Sequence, residues 1–408
     1  MTSSRWRRAG CQRMCAMPGG REWGEGLQAG GRALGLAHGP GVAGEDCMRL
    51  GAILVAVMGL AACKAAPGAQ GEALAETVLP PPPVWQTIEP GGETLCANGT
   101  PYRFHVREGD ADKVMIFLNG GGACWTGDHC SLDTEPTPYT PFAEMDANNP
   151  ALMGGVFNSS NPANPFAGWT QVFVPYCTGD VHLGTKDVTY TTSAGGEITI
   201  HHRGKANVQS ALDWVYANRE APSSIFVGGG SAGAIASAYY AGVVADHYPQ
   251  ADIVQHGDGA GGYRAAAISG ILGTWGAFDN LPDWPGFASL DPATGTAEDF
   301  YRQTAAQHPR VQMSQFNNVD DEVQQMFLAL MGVTDPVRGL MRANMEDLTA
   351  EIPGFRYFSA KGTDHTMLRF DRFYETEAEG ASAPDWLRAL AGGIEVASVT
   401  CEDEAACD

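Results

Sequence analysis

Short apolar runs that stop abruptly on glycine or proline recur through the last three quarters of the chain. Val114-Met115-Ile116-Phe117-Leu118 stops at Asn119-Gly120-Gly121-Gly122, and Thr170-Gln171-Val172-Phe173-Val174 stops at Pro175. Ser224-Ile225-Phe226-Val227 stops at Gly228-Gly229-Gly230. Runs bounded in this way predict buried strands. Asp252 to Gln255, Val311 to Phe316 and Arg356 to Ser359 extend the series. Between them lie helical patterns. Segment 204–219 spaces Val208, Ala211, Leu212 and Val215 on one face, and Ala232 to His247 is alanine-rich. Strand and helix in alternation imply a mostly parallel central sheet with helices on both faces, an α/β fold. Ligands of such sheets sit beyond the carboxyl ends of the strands, where these glycine turns fall. No internal repeat is visible, so 86–408 reads as a single domain.

The beginning of the chain has a different character. Residues 1–47 are rich in glycine and arginine without an apolar period, and read as a disordered extension or as an over-long start. From Met48 there is one arginine, then an apolar run from Leu50 to Ala62, then Cys63. The run is too short for a bilayer-spanning helix, which needs about 20 residues. It has the length of a secretory signal core. Leu60-Ala61-Ala62-Cys63 resembles a bacterial lipobox, so 48–63 is expected to be a lipoprotein signal with Cys63 as the lipidated residue. Lys64 is not the aspartate that retains lipoproteins at the inner membrane. Residues 64–85, with Pro80 to Pro83, predict a stiff linker. The expectation is an exported protein, either an outer-membrane lipoprotein or one secreted or periplasmic, touching the membrane through its lipid alone.

Composition narrows this further. A net charge of −22 argues against nucleic acid as partner, since a phosphate backbone needs a basic face. Six of the ten cysteines follow Cys63, an even number that favours disulfides in an exported chain. Cys124–Cys130 and Cys401–Cys407 close short loops, which leaves Cys96–Cys177. There is no Cys-x-x-Cys and no histidine at ligand spacing beside these cysteines, so no metal is expected. His182, His201 and His202 read as surface or strand residues.

The chemistry concentrates in two glycine motifs. Gly229-Gly230-Ser231-Ala232-Gly233 sits between a predicted strand and a predicted helix, the context of a Gly-x-Ser-x-Gly nucleophile elbow. The competing reading, a phosphate loop, requires a different spacing and usually a lysine, and none is near. The turn after the Val114–Leu118 run is suited to an oxyanion hole, with the N–H groups of Gly122, Ala123 and Ala232 as donors. A serine needs a base, and in this fold the order is serine, acid, histidine. His365 stands in a loop after the last predicted strand; His256 is the reserve, while His247 and His308 are poorly placed. The acid is open among Asp258, Asp279, Asp320, Asp321 and Asp364. Asp321 precedes Glu-Val-Gln-Gln and equally reads as a helix N-cap.

Taken together, Phe117 to Cys124, Gly229 to Gly233, Asp258-Gly259-Ala260-Gly261 and Asp364-His365 resemble the pectinacetylesterase/Notum family and stand in the same order, over about Cys96 to Trp386. The resemblance implies an α/β-hydrolase-like fold and a Ser–His–Asp esterase without metal or organic cofactor. Plant members carry Asp-x-x-Gln after an Asn-rich strand end. Asp321-Glu322-Val323-Gln324 matches that, so the resemblance favours Asp321 over Asp320 and Asp258. Plant members also carry an acid where Asn119 stands and an aromatic where Ala123 stands. With Asn119, Gly121 and Trp125 expected to touch substrate, those departures leave the substrate open. Plant relatives deacetylate pectin; Notum removes a fatty acyl group from a signalling protein. The expected reaction is deacetylation or deacylation of a carbohydrate ester through an acyl-enzyme on Ser231. The alternatives are a lipid, other ester or peptide hydrolase of the same fold, a glycan-binding surface lipoprotein without catalysis, or a structural envelope protein with no cleft. Residues Trp275 to Trp284 read equally as a lid or as a packed loop.

Overall fold

The structure is a computed structural model that describes residues 83–401. The extension, the signal with Cys63, nearly all of the linker, and Cys407 lie outside the described residues. The centre is an eight-stranded sheet: β1 (Trp85–Ile88), β2 (Phe104–Arg107), β3 (Asp110–Leu118), β4 (Trp169–Val174), β5 (Ser224–Gly230), β6 (Asp252–Asp258), β7 (Gln312–Asn318) and β8 (Arg356–Ala360). The spatial order is β1-β2-β4-β3-β5-β6-β7-β8. β1, β2 and β4 pair antiparallel, and all pairs from β4 through β8 are parallel. The longer helices are α1 (Gly204–Asn218), α2 (Ala232–His247), α3 (Ile268–Trp275), α4 (Ala297–Gln307), α5 (Glu322–Leu330), α6 (Val337–Glu351) and α7 (Ala383–Ala391). This is an α/β-hydrolase-like architecture. Among the described residues no helix is long and apolar enough to cross a membrane.

The pleat divides the core in two. Val114, Ile116 and Leu118 of β3 pack with Val208 and Leu212 of α1, Ala236 of α2 and Phe300 of α4. Met115 and Phe117, one residue out of step, pack on the other face with Phe173, Phe226, Phe316 and Phe358 and with Leu387 of α7. A strand covered on both faces reads as a continuous apolar run, which is why β3 to β5 were visible as such in the sequence.

The strands nearest the chemistry run further than the apolar signal. β5 continues through its glycines, pairing Gly229 with Gly257 and Gly230 with Asp258. Backbone pairing needs no side chain, and here a side chain would not fit. A Cβ on Gly229 would lie 2.3 Å from the Gly233 carbonyl oxygen, and one on Gly233 would lie 2.0 Å from that of Leu118. α2 can therefore start close against the sheet only because these positions are glycine. The antiparallel strands β1, at the edge, and β2 beside it, and a separate hairpin of Asp187–Thr191 with Glu197–His201, carried no run long enough to read.

The segment Trp275 to Trp284 is packed. Trp275 is 1% exposed and donates its indole N–H to the Cys124 carbonyl at 2.9 Å, and Trp284 is buried with its indole N–H on Asp246. Gly276 ends α3 in the left-handed region. Two of the expected disulfides are present, Cys96–Cys177 and Cys124–Cys130. They fit an exported protein.

The Cys96–Cys177 link spans 81 residues. Closing a loop of that length restricts the unfolded chain strongly, so replacing both cysteines by alanine is expected to lower the unfolding free energy by about 2–4 kcal/mol. The check is a lower urea midpoint, with a smaller change when Cys124–Cys130 is removed.

Candidate active site

Ser231 sits between β5 and α2 with φ 53° and ψ −117°, a left-handed φ that a non-glycine residue adopts only under constraint. The constraints are on both sides. Its N–H donates to the Asp258 carbonyl at 2.8 Å, and its carbonyl accepts from Ala234 at the first turn of α2. Gly120 packs against it so closely that a Cβ there would lie 2.8 Å from the Ser231 Cβ. The strained turn holds the side chain at the carboxyl edge of the sheet, at the positive end of α2. Ser231 is 5% exposed and lines two spaces at once.

His365 enters from the loop after β8. Its Nδ1 lies 2.7 Å from Oδ2 of Asp321. Asp321 is fully buried at the N-cap of α5, where Oδ1 accepts from the N–H groups of Val323 and Gln324 at 3.0 and 2.9 Å. Oδ2 also accepts from the Gln324 side chain at 2.8 Å. The carboxylate is thus both the cap and the partner of the histidine. A carboxylate can only accept, so Nδ1 carries a proton, and in the neutral ring the lone pair is on Nε2. Nε2 is buried and has no partner among the described residues, and His365 lines the same groove as Ser231.

The other candidates are committed elsewhere. Asp320 pairs with Arg338, Asp279 with Lys186 and Asp364 with Arg372. Asp258 is fully buried beneath the His365 loop and accepts from the N–H groups of Met367 at 3.1 Å and Leu368 at 2.9 Å. Burial pushes its carboxyl up to about 6. His256 points into the core on the face of Phe226 and Trp386, its Nδ1 2.9 Å from the Ser314 hydroxyl. His247 stacks on Tyr216, and His308 meets Asp246.

The oxyanion loop differs in part from expectation. The Ala123 N–H donates to the Pro138 carbonyl at 3.3 Å. Gly122 and Ala232 carry no such bond among the described residues, and both line the space beside Ser231. Asn119, expected at the entrance, is fully buried. Its side chain donates to the Ala147 carbonyl and to Asn148, and accepts from Arg369. It braces the loop because a buried amide must satisfy its polar groups inside. His182 is buried too, against the expectation of a surface or strand position. Its Nε2 donates to the Asn119 carbonyl at 2.8 Å, from behind the loop. His202, also buried, bonds the Thr178 carbonyl and the Tyr190 hydroxyl, whereas His201 does end a hairpin strand and meets Asp187. Gly121 and Trp125 do face the cavities.

Two residues that the sequence did not assign complete the surroundings. Gln324 accepts from the Gly262 N–H at 2.7 Å, tying α5 to the loop after β6. Tyr263 on that loop directs its hydroxyl to the Ser231 side chain, and burial raises its pKa. The spaces that meet at Ser231 are unequal. One is an apolar cavity of about 40 Å³, walled by Trp125, Val181, Ile235, Leu272, Trp275 and Phe327. The other is a groove of about 1060 Å³ that includes Gly121, Met326, Leu330, His365 and Arg369.

The sheet, the strained serine at the strand–helix corner and the histidine loop at its carboxyl edge define an α/β-hydrolase-like protein. Residues 88–267 match the family model described as pectinacetylesterase. This bears out the resemblance read from the motifs and supports a carbohydrate esterase; the matched span contains the glycine loop after β3 and Ser231. The comparison with curated proteins returned no match.

The buried groups make the stability of the fold depend on pH. Burial holds His182 down to about 4 and His256 down to about 3, below the ordinary 6.5. Between those values and 6.5 the unfolded chain binds protons that the folded chain does not, so their contribution is complete above 6.5 and is lost as pH falls. Asp258 acts oppositely: with its carboxyl raised to about 6 from 3.8, stability is lost as pH rises through that window. The urea midpoint is expected to fall on acidification from about pH 6.5 to about pH 4. Asp258→Asn, which removes the opposing group, should make that fall steeper.

Proposed function

We propose that the protein is an exported serine esterase that removes short acyl groups, acetyl foremost, from a carbohydrate, and that a lipid on Cys63 tethers it to a membrane. The observation that carries this reading is the position of Ser231, in a strained turn where a small apolar cavity meets a large groove containing the His365–Asp321 pair. The cavity is small and walled by apolar side chains, which suits an acetyl and not a fatty chain. The groove is large enough for the alcohol part of a sugar polymer.

In this mechanism Nε2 of His365 takes the Ser231 proton as the hydroxyl attacks the ester carbonyl. Asp321 orients the ring and stabilises the imidazolium. The N–H groups of Gly122 and Ala232 hold the developing oxyanion; each such donor contributes about 3 kcal/mol in comparable sites. The protonated histidine then gives its proton to the leaving sugar hydroxyl. Water, deprotonated at the same Nε2, attacks the acyl-serine and releases the acid and the free serine.

A second reading, an amphiphilic or lipid ester, is favoured by the exposed apolar side chains along the groove, Met145, Met326, Leu330 and Phe370. Hydrolysis of p-nitrophenyl esters from acetate to palmitate separates the two. The expected result is turnover that is highest for acetate and absent in Ser231→Ala. An optimum at long chains supports the second reading, and no turnover of any ester by folded protein contradicts both.

Asp321→Asn leaves an oxygen to cap the helix but replaces the acceptor that faces His365 Nδ1 with an N–H donor. It is expected to lower kcat by about 10³- to 10⁴-fold with little change in KM. An effect below tenfold removes Asp321 from the mechanism.

A further inference from the structure

We propose that Val181 sets the acyl-length limit of the esterase, an inference that rests on Ser231 as nucleophile and on the small cavity as its acyl pocket. Val181 and His182 are consecutive residues at φ 49° and 62°. Left-handed backbone is costly for any L-residue other than glycine and most costly for a β-branched one. It persists only where the surroundings impose it. Here they do: the Val181 N–H donates to the Tyr176 hydroxyl at 2.9 Å, and the His182 N–H donates to Asp180 at 3.1 Å. The His182 carbonyl accepts from the Tyr240 hydroxyl at 2.7 Å.

Glycine would adopt this turn without strain, and Gly179 stands at positive φ two residues earlier. The histidine ring has a use, since it bonds the oxyanion loop. The valine side chain makes no polar contact. What it does is occupy space: it is 4% exposed and walls the cavity beside Ser231 together with Ile235 and Trp275. The strain therefore keeps an isopropyl group where the acyl chain would extend. Removing that group to glycine frees the bulk of three carbons, and removing all but its Cβ frees two, the difference between acetyl and butyryl.

The test measures kcat/KM for p-nitrophenyl acetate, butyrate and hexanoate on the full chain and on Val181→Gly, Val181→Ala and Val181→Ile, with thermal unfolding as the check of folding. The butyrate-to-acetate ratio is expected to rise about tenfold or more in the glycine variant, less in alanine, and to fall in isoleucine, which keeps the β-branch and adds one carbon. A ratio unchanged in the variants that fold overturns the limit alone, because the parent still hydrolyses acetate. A parent that hydrolyses no ester overturns the esterase reading and the limit together.

Discussion

Most of the site's geometry follows from one buried carboxylate. Asp321 has no exposed surface, and a charge in that position is tolerated only if its oxygens are fully engaged. They are. One oxygen caps α5 through two backbone N–H groups, and the other takes the Gln324 amide and the His365 ring. Because the cap fixes the orientation of the carboxylate, the direction from which the histidine must approach is fixed as well. Gln324, one turn into the same helix, reaches the Gly262 N–H and so holds the loop that brings Tyr263 to the serine. A single helix start thereby positions the histidine, the loop after β6 and the floor of the groove.

The serine side is built by backbone packing. Parallel pairing of β3, β5, β6 and β7 brings their carboxyl ends to one edge. There, glycine at 229 and 233 lets α2 begin against β3, and glycine at 120 lets the loop after β3 approach Ser231. Asp258 joins the two halves. Its carbonyl accepts from the Ser231 N–H and its carboxylate accepts from the N–H groups after His365, so Ser231 and the His365 loop share one anchor at the end of β6. Behind the loop, His182 and Asn119 form a second buried layer. In the proposed reading this layer keeps the Gly122 N–H aimed at the place where negative charge develops, which is where fixed dipoles act most strongly.

The central strands could be read from the sequence because burial on both faces leaves an unbroken apolar run. Their polar tips could not, since Gly228 to Gly230 and Asn317-Asn318 pair through backbone alone. The strand–serine–helix corner was legible because its glycines are demanded locally. The expected acid was not: five aspartates stayed open as candidates, and only the resemblance favoured Asp321. Which of them meets His365 depends on burial and direction, both tertiary properties. Asn119 and His182 were misplaced for the same reason, because a polar residue in a loop carries no periodicity that distinguishes a brace from a surface group. Val181 gave no signal at all. Its significance lies in a backbone angle and in a cavity wall, neither of which a sequence displays.

In the proposed mechanism Ser231 carries the acyl group. The most direct measurement is to mix the protein with p-nitrophenyl acetate, quench in acid within the first turnovers, and locate any acetyl by intact and peptide mass. One acetyl per chain is expected on the peptide containing Ser231, lost on longer incubation at neutral pH. Turnover with no adduct on that peptide, or an adduct elsewhere that forms and decays at the catalytic rate, would contradict it.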